Sequence, residues 1–324
     1  MYKLAIVGAT GLVGRTVLKI LEERNLSIYE YVFFSSKKSA GSIIRFKNKD
    51  YIVRELKEDS FLKEYFDFAI FSAGAQTSER YAPIASKNGC TVIDNSSTFR
   101  MNTDVPLVVP EVNLEDIKLN KGIIANPNCS TIQAVLPIKA LDNKYNVKRI
   151  IYSTYQAVSG AGRLGIQDLE NKSANKFPYQ IYNNCLPHID SFLENGYTKE
   201  EEKMINETRK ILHKPDLKIT ATCVRVPVIN CHCESINLEF EKEFDTKDIY
   251  KTLENFKNIT VLDDPKENLY PIPTKVSGKD NVYVGRIRRD YSIKNGLNLW
   301  VVADNIRKGA ATNAIQILEK LILK

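Results

Sequence analysis

The pattern set in the first two dozen residues recurs through the first 125. A short apolar run, Lys3 to Val7, stops at the glycines of GATGLVG, and Val17, Leu18 and Leu21 then recur at helical spacing within Arg15–Arg24. That order predicts strand, glycine turn, helix. Further apolar runs, Tyr29 to Phe34, Phe66 to Phe71 and Thr91 to Ile93, end in the small and polar stretches SSKKSAG, SAGAQTS and DNSSTFR. Short strands alternating with helical segments predict an α/β fold with a doubly wound parallel sheet. Ligands are then expected at the loops after the strands.

After about residue 140 the texture changes. Arg149 to Thr154, Lys218 to Val226, Ser235 to Phe240 and Leu297 to Val302 are longer alternating runs, as strands with one covered face require. A second, mixed α/β domain is expected there. Thr198 to Leu212 has helical composition, and the chain closes on a helical stripe from Lys308 to Leu323, with Ala311, Ile315, Leu318, Leu321 and Ile322 on it.

Composition adds exclusions. The chain has 324 residues, too many for one small core, and its 43% hydrophobic and 26% charged shares exclude a disordered, collagen-like or heptad chain. The charge-free stretch from Gly122 to Ile138 is broken by Asn126, Pro127, Asn128 and Pro137, so no membrane span is expected. The N-terminal run breaks at Gly8 with no cleavage-site pattern, so no signal peptide and a cytoplasmic location are expected. The net charge of +7 is spread along the chain, and the densest cluster, Lys199 to Lys203, is mixed in sign. This argues for small anionic ligands and against nucleic acid. Six cysteines without a regular framework read as reduced thiols.

Two segments carry chemistry. Gly8, Gly11 and Gly14 lie between a strand and a helix, where glycine lets the backbone approach a pyrophosphate met by the amide groups of the helix start. The loop after the second strand, Ser35, Ser36, Lys37, Lys38 and Ser39, has no carboxylate for the ribose hydroxyls and has two lysines for a 2′-phosphate. NADP is therefore expected as cofactor. Cys129, in Asn126-Pro127-Asn128-Cys129-Ser130-Thr131, precedes the apolar helix IQAVLPIKAL. A helix N-terminus favours thiolate, so Cys129 is the candidate nucleophile. Cys90 and Cys223, amid apolar strand residues, read as buried hydrophobes.

These motifs, with NSSTFR at 95–100, PNCST at 127–131, Gln156 followed by VSGAG, CVRVPV with His232 seven residues beyond Arg225, and DN-x-x-KGAA at 304–311, resemble aspartate-β-semialdehyde dehydrogenase over essentially the whole chain. The resemblance implies a Rossmann-type nucleotide domain, residues 1–128 plus 306–324, and a catalytic and dimerisation domain, 129–305. It also implies interconversion of L-aspartyl-4-phosphate and L-aspartate-4-semialdehyde through an acyl-thioester, in aspartate-family amino-acid biosynthesis, by a homodimer or tetramer. Cys129 would then be the nucleophile, His232 the general acid/base and Gln156 an orienting residue. Arg225 would hold the substrate carboxylate, and Arg100 and Lys203 its phosphoryl group or phosphate. Asn128 is placed with the substrate-binding residues, as is Glu200 for the substrate amino group, although Glu200, Glu201 and Glu202 leave the register open by a residue. Gly8, Thr10, Gly11, Leu12, Val13, Ser36, Lys38, Ser39, Ser159, Gly160 and Asn305 would contact NADP.

Other readings weigh less. Cys231-His232-Cys233, if extended, puts the histidine on the opposite face from the cysteines, so no metal site is expected. N-acetyl-γ-glutamyl-phosphate reductase and malonyl-thioester reductase share the cysteine chemistry, but the glycine-cysteine-tyrosine context of the first is absent. A non-catalytic nucleotide-binding scaffold has no use for both Cys129 and His232.

Overall fold

The computed structural model describes residues 1–323. The chain divides into two compact units, Met1–Pro127 with Ala310–Lys324, and Asn128–Gly309.

The first unit contains β1 (Tyr2–Val7), β2 (Ile28–Ser35), β3 (Ile43–Phe46), β4 (Lys49–Ile52), β5 (Arg54–Glu55), β6 (Phe68–Phe71), β7 (Thr91–Asp94) and β8 (Ile123–Ala125). Strands β3 and β4 form a separate antiparallel hairpin, and the other six form one parallel sheet in the order β5-β2-β1-β6-β7-β8. Alternation explains the continuous apolar runs. Leu4, Ile6, Phe33, Ile70 and Ile93 pack with Val17, Leu18 and Leu21 of the Leu12–Glu23 helix and with Ile315 and Leu318 of the Asn313–Ile322 helix. Ala5, Val7, Val32, Phe34 and Val92 form a second cluster with Ala82 and Ala85 of the Ala75–Lys87 helix. Each large apolar side chain so buried contributes roughly 1.5–3 kcal/mol, so a sheet covered on both faces selects apolar residues at every position.

β1 ends at Gly8, whose φ is +86°. A Cβ there would lie 2.7 Å from the Ser72 carbonyl oxygen, and one at Gly14 would lie 2.2 Å from the Gly8 oxygen. No side chain fits at either position.

The second unit contains β9 (Val147–Gln156), β10 (Lys218–Arg225), β11 (His232–Phe240), β12 (Ile259–Val261), β13 (Val282–Asp290) and β14 (Gly296–Ala303), in the order β10-β9-β11-β14-β13-β12. Its central pairs, β9–β11 and β11–β14, are antiparallel, whereas β10–β9 and β12–β13 are parallel. Along β9 buried residues alternate with more exposed ones, as a sheet covered on one face predicts. The Cys129–Tyr145 helix packs on β9, β11 and β14, and every residue from Ser130 to Ile138 is buried. The alternating-strand expectation and the mixed architecture agree with this unit.

Two local expectations need correction. The closing helix does not run unbroken from Lys308: Arg307–Thr312 is wound as a π-helix, and the α-helix spans Asn313–Ile322. The wider turn carries Gly309, where a Cβ would meet Cys129 Cβ at 2.9 Å. Cys231 is not extended, its φ being +75°, so β11 starts at His232. Cys231 and Cys233 nonetheless share an apolar cluster with Val276 and Val302. No helix among the described residues is long and apolar enough to cross a membrane.

Candidate active site

Cys129 is the first residue of its helix, and the preceding Asn128 caps it. The Asn128 Oδ1 accepts from the amides of Ser130, at 2.9 Å, and Thr131, at 3.4 Å. Its Nδ2 donates to Glu200 Oε1 at 2.9 Å, and its own amide donates to Glu207 Oε2 at 2.7 Å. The cap is thus fixed from outside as well as from its own helix, and the sulfur beside it inherits that position.

His232 Nε2 lies 3.2 Å from Cys129 Sγ. On the other side of the ring, the Ala157 amide donates to Nδ1 at 3.0 Å. Nδ1 therefore carries a lone pair, and the neutral ring holds its proton on Nε2, toward the sulfur. The imidazole is fully buried, and burial together with the nearby Arg225 charge pushes its pKa well below the usual histidine value. Both observations make the ring a neutral donor.

β9 and β10 run in parallel and end together, with Gln156 opposite Arg225. Arg225 is buried and donates from Nη1 to the Ala157 carbonyl at 2.7 Å, with its guanidinium 5.9 Å from the centre of the Phe177 ring. Burial lowers its pKa, against the opposing pull of Glu200 and Cys129. Gln156 Nε2 donates to Glu200 Oε1 at 3.1 Å. The acidic run of the Lys199–Leu212 helix is thereby resolved. Glu200 is buried and aimed at Asn128 and Gln156, Glu201 caps its own helix through Thr198, and Glu202 pairs with Asn195 and Asn206. Burial pushes the Glu200 carboxyl up, but Lys203, Asn128, Gln156 and Arg225 outweigh it and hold it below the usual carboxylate range. Lys203 pairs with Asp190 at 2.7 Å and Glu200 at 3.2 Å.

Asn128, Cys129, Gln156, Glu200, Lys203, Arg225 and His232 thus belong to one connected cluster. Ser159, Gly160 and Asn305 lie in the same unit. Asn305 Nδ2 donates to Ser159 Oγ at 3.0 Å, and a Cβ at Gly160 would meet Arg225 Nη1 at 2.9 Å and the His232 ring at 3.2 Å. The remaining candidates lie in the other unit. Gly8 to Val13 form the turn after β1, with Thr10 Oγ1 bonded to Ser35 Oγ at 2.8 Å, and no side chain caps the helix that follows. Ser36 and Lys38 are exposed and Ser39 is half-buried, in a turn closed by the Ser39 amide on the Ser36 carbonyl. Arg100 is buried, donating to the carbonyls of Asn126 at 3.0 Å and Asn95 at 2.9 Å.

Sequence reasoning missed Gln133, Glu207, Glu234 and Gly309. Helical spacing could have found two of them, since Gln133 is one turn beyond Cys129 and Glu207 two turns beyond Glu200. Burial pushes the thiols of Cys90, Cys223, Cys231 and Cys233 upward, the last to about 12.

The sequence matches the family described as "Semialdehyde dehydrogenase, NAD binding domain" over residues 3–120 and "Semialdehyde dehydrogenase, dimerisation domain" over residues 138–308. The aspartate-semialdehyde dehydrogenase of Aquifex aeolicus is 54% identical, covering 99% of this chain and 98% of that protein. The crystal structure of aspartate semialdehyde dehydrogenase II from Vibrio cholerae complexed with ASA superposes with a TM-score of 0.96 at 43% identity, covering 100% of this chain and 99% of that one. The Candida albicans aspartate semialdehyde dehydrogenase with NADP gives a TM-score of 0.79 at 27% identity, covering 99% and 98%. The Cys129–His232 cluster, the glycine turn and these likenesses agree, and the chain belongs to the aspartate-semialdehyde dehydrogenase family of oxidoreductases.

Proposed function

We propose that the chain interconverts L-aspartyl-4-phosphate with NADPH and L-aspartate-4-semialdehyde with NADP⁺ and phosphate, through a thioester on Cys129. The observation that carries this reading is the Cys129–His232 contact of 3.2 Å at the start of a capped helix. In the reductive direction the Cys129 thiolate attacks the acyl phosphate, and the tetrahedral oxyanion receives a hydrogen bond from His232 Nε2–H. Phosphate leaves and the thioester remains. Held at the turn after β1, NADPH would supply the hydride that reduces the thioester carbon. The resulting oxyanion again takes the Nε2–H bond before it collapses to aldehyde and regenerates the thiolate. His232 so acts first as the donor half of an acid/base pair.

The substrate is recognised as a zwitterion in this reading. Arg225 takes the α-carboxylate, and the buried, ionised Glu200 takes the ammonium, with Asn128 and Gln156 holding Glu200 in place. N-acetyl-γ-glutamyl phosphate and malonyl thioesters lack that ammonium, so Glu200 argues against both. Lys203 and Arg100 are assigned to the phosphoryl group. The cofactor's pyrophosphate is assigned to the turn after β1, whose close backbone packing requires Gly8 and Gly14, and to the uncapped helix start beyond it. Lys38, with Ser36 and Ser39, is assigned to the 2′-phosphate, a preference supported by the NADP bound to the Candida relative. Ser159, Gly160 and Asn305 complete the cofactor contacts, and the dimerisation-domain match supports a homodimer.

The decisive assay monitors NADP⁺ reduction with L-aspartate-4-semialdehyde and phosphate. Absorbance rises only when phosphate is present; phosphate-independent turnover, or none, overturns the assignment. Sedimentation at equilibrium gives the mass of two chains.

A further inference from the structure

Glu234 stands two residues beyond His232 on β11 and Gln133 four residues beyond Cys129 on its helix, and both side chains are wholly buried. Gln133 Nε2 donates to the His232 carbonyl at 3.2 Å. Its Oε1 and both carboxyl oxygens of Glu234 are buried acceptors that no donor reaches among the described residues. Yet the Gln133 side chain is close enough to act on the Glu234 carboxyl, and although that contact alone favours the ionised form, burial outweighs it. Buried acceptors left without a donor destabilise the fold, unless one of them carries a proton that another can accept.

We propose that Glu234 is a protonated positioning residue whose carboxyl O–H donates to Gln133 Oε1, so that Glu234 and Gln133 together tie the helix carrying Cys129 to the strand carrying His232. One proton turns a repulsive pair of oxygens into a bond, and the same amide group then grips the His232 backbone. The surroundings suit a neutral acid. The strand neighbours of Glu234 are Thr154 and Val301. The ionisable groups that sense its charge are Glu200, Tyr152, Cys223 and Cys233, and none of these is a cation. Burial, with the Glu200 charge adding to it, holds the carboxyl well above the ordinary range. The consequence is geometric: with Gln133 free to turn, the backbone of His232 loses its tether to the nucleophile's helix.

This inference rests on reading Cys129 and His232 as the reacting pair, so its test has readouts independent of turnover. In the full chain, the infrared difference between wild type and Glu234→Gln contains a carboxylic-acid C=O stretch at neutral pH; a carboxylate band instead overturns the proposal. Glu234→Gln, whose amide can still donate to Gln133, keeps kcat and the rate of Cys129 alkylation by iodoacetamide within about threefold. Glu234→Leu lowers kcat roughly ten- to a hundredfold with KM little changed, and slows alkylation. Gln133→Leu does the same, and the double variant is no worse than either single one. A Glu234→Gln as impaired as Glu234→Leu means that the charge is required, and a Glu234→Leu with wild-type kcat removes the positioning role; either overturns the proposal. Should Glu234→Leu fail to fold, the infrared band and Glu234→Gln decide. An acid band in a protein inactive on aspartate semialdehyde would overturn the functional reading and leave this one standing.

Discussion

The turn at Gly8–Gly14 and the cluster around Cys129, each proposed to meet an anion, are built by opposite means. In the turn the work falls to bare backbone: a helix start that no side chain caps, opened by glycines at positions where a Cβ would strike a carbonyl at 2.7 and 2.2 Å. The lysines nearby are exposed. Around Cys129 nearly every group is a buried side chain held by another side chain or by the backbone: Arg225 by the Ala157 carbonyl, Glu200 by Asn128 and Gln156, His232 by the Ala157 amide. The first arrangement is defined by what is missing, the second by the identity of each residue. A substitution should therefore act through sterics in one region and through chemistry in the other.

The largest effect tests the chemical side. Cys129→Ser should lower kcat by at least about a thousandfold while NADPH binding, followed by fluorescence titration, stays near wild type. Loss of both would mean that the two regions are not separable. On the steric side, Gly14→Ala should cost roughly 1–3 kcal/mol of stability, seen as a lower Tm, and should weaken NADPH binding with little change in Cys129 alkylation. A normal Tm would show that the turn can relax around a methyl group.

Arg225→Lys keeps the charge but loses the planar fork, and KM for aspartate semialdehyde should rise about ten- to a hundredfold with a smaller change in kcat. An unchanged KM would move Arg225 out of the substrate site. The smallest effect is expected at an exposed lysine: Lys38→Ala should reduce the kcat/KM preference for NADP⁺ over NAD⁺ by a factor of about three to ten. If the preference is untouched, the 2′-phosphate is read by other groups.

The same division governs what could be read in the sequence. The first unit was legible because its strands are apolar on both faces and its glycines fall between strand and helix, features that period and spacing carry directly. Cys129 was legible for the same reason, by its place before an apolar helix. Some of the groups behind it were not. Helical spacing puts Gln133 and Glu207 on the right faces, but Glu207 reaches the Asn128 amide across 79 residues of chain and Gln133 the His232 carbonyl across 99, so their partners could not be read locally. Which of Glu200, Glu201 and Glu202 points at Asn128 follows from the face each occupies, because helix rotation and not sequence order decides which acid turns that way. The π-wound turn at Arg307–Thr312 was read as ordinary helix, since nothing in its apolar stripe marks the wider turn that carries Gly309 against Cys129.

The Ala157 amide aimed at His232 Nδ1 has one more consequence. A ring so held can take a second proton only by breaking that bond, so it stays uncharged over the span of acidity in which a free histidine switches. It behaves less like a titrating side chain than like a peptide N–H of fixed direction. Over that span, acidification of the medium should then act on the reaction through the substrate's phosphate and not through the imidazole.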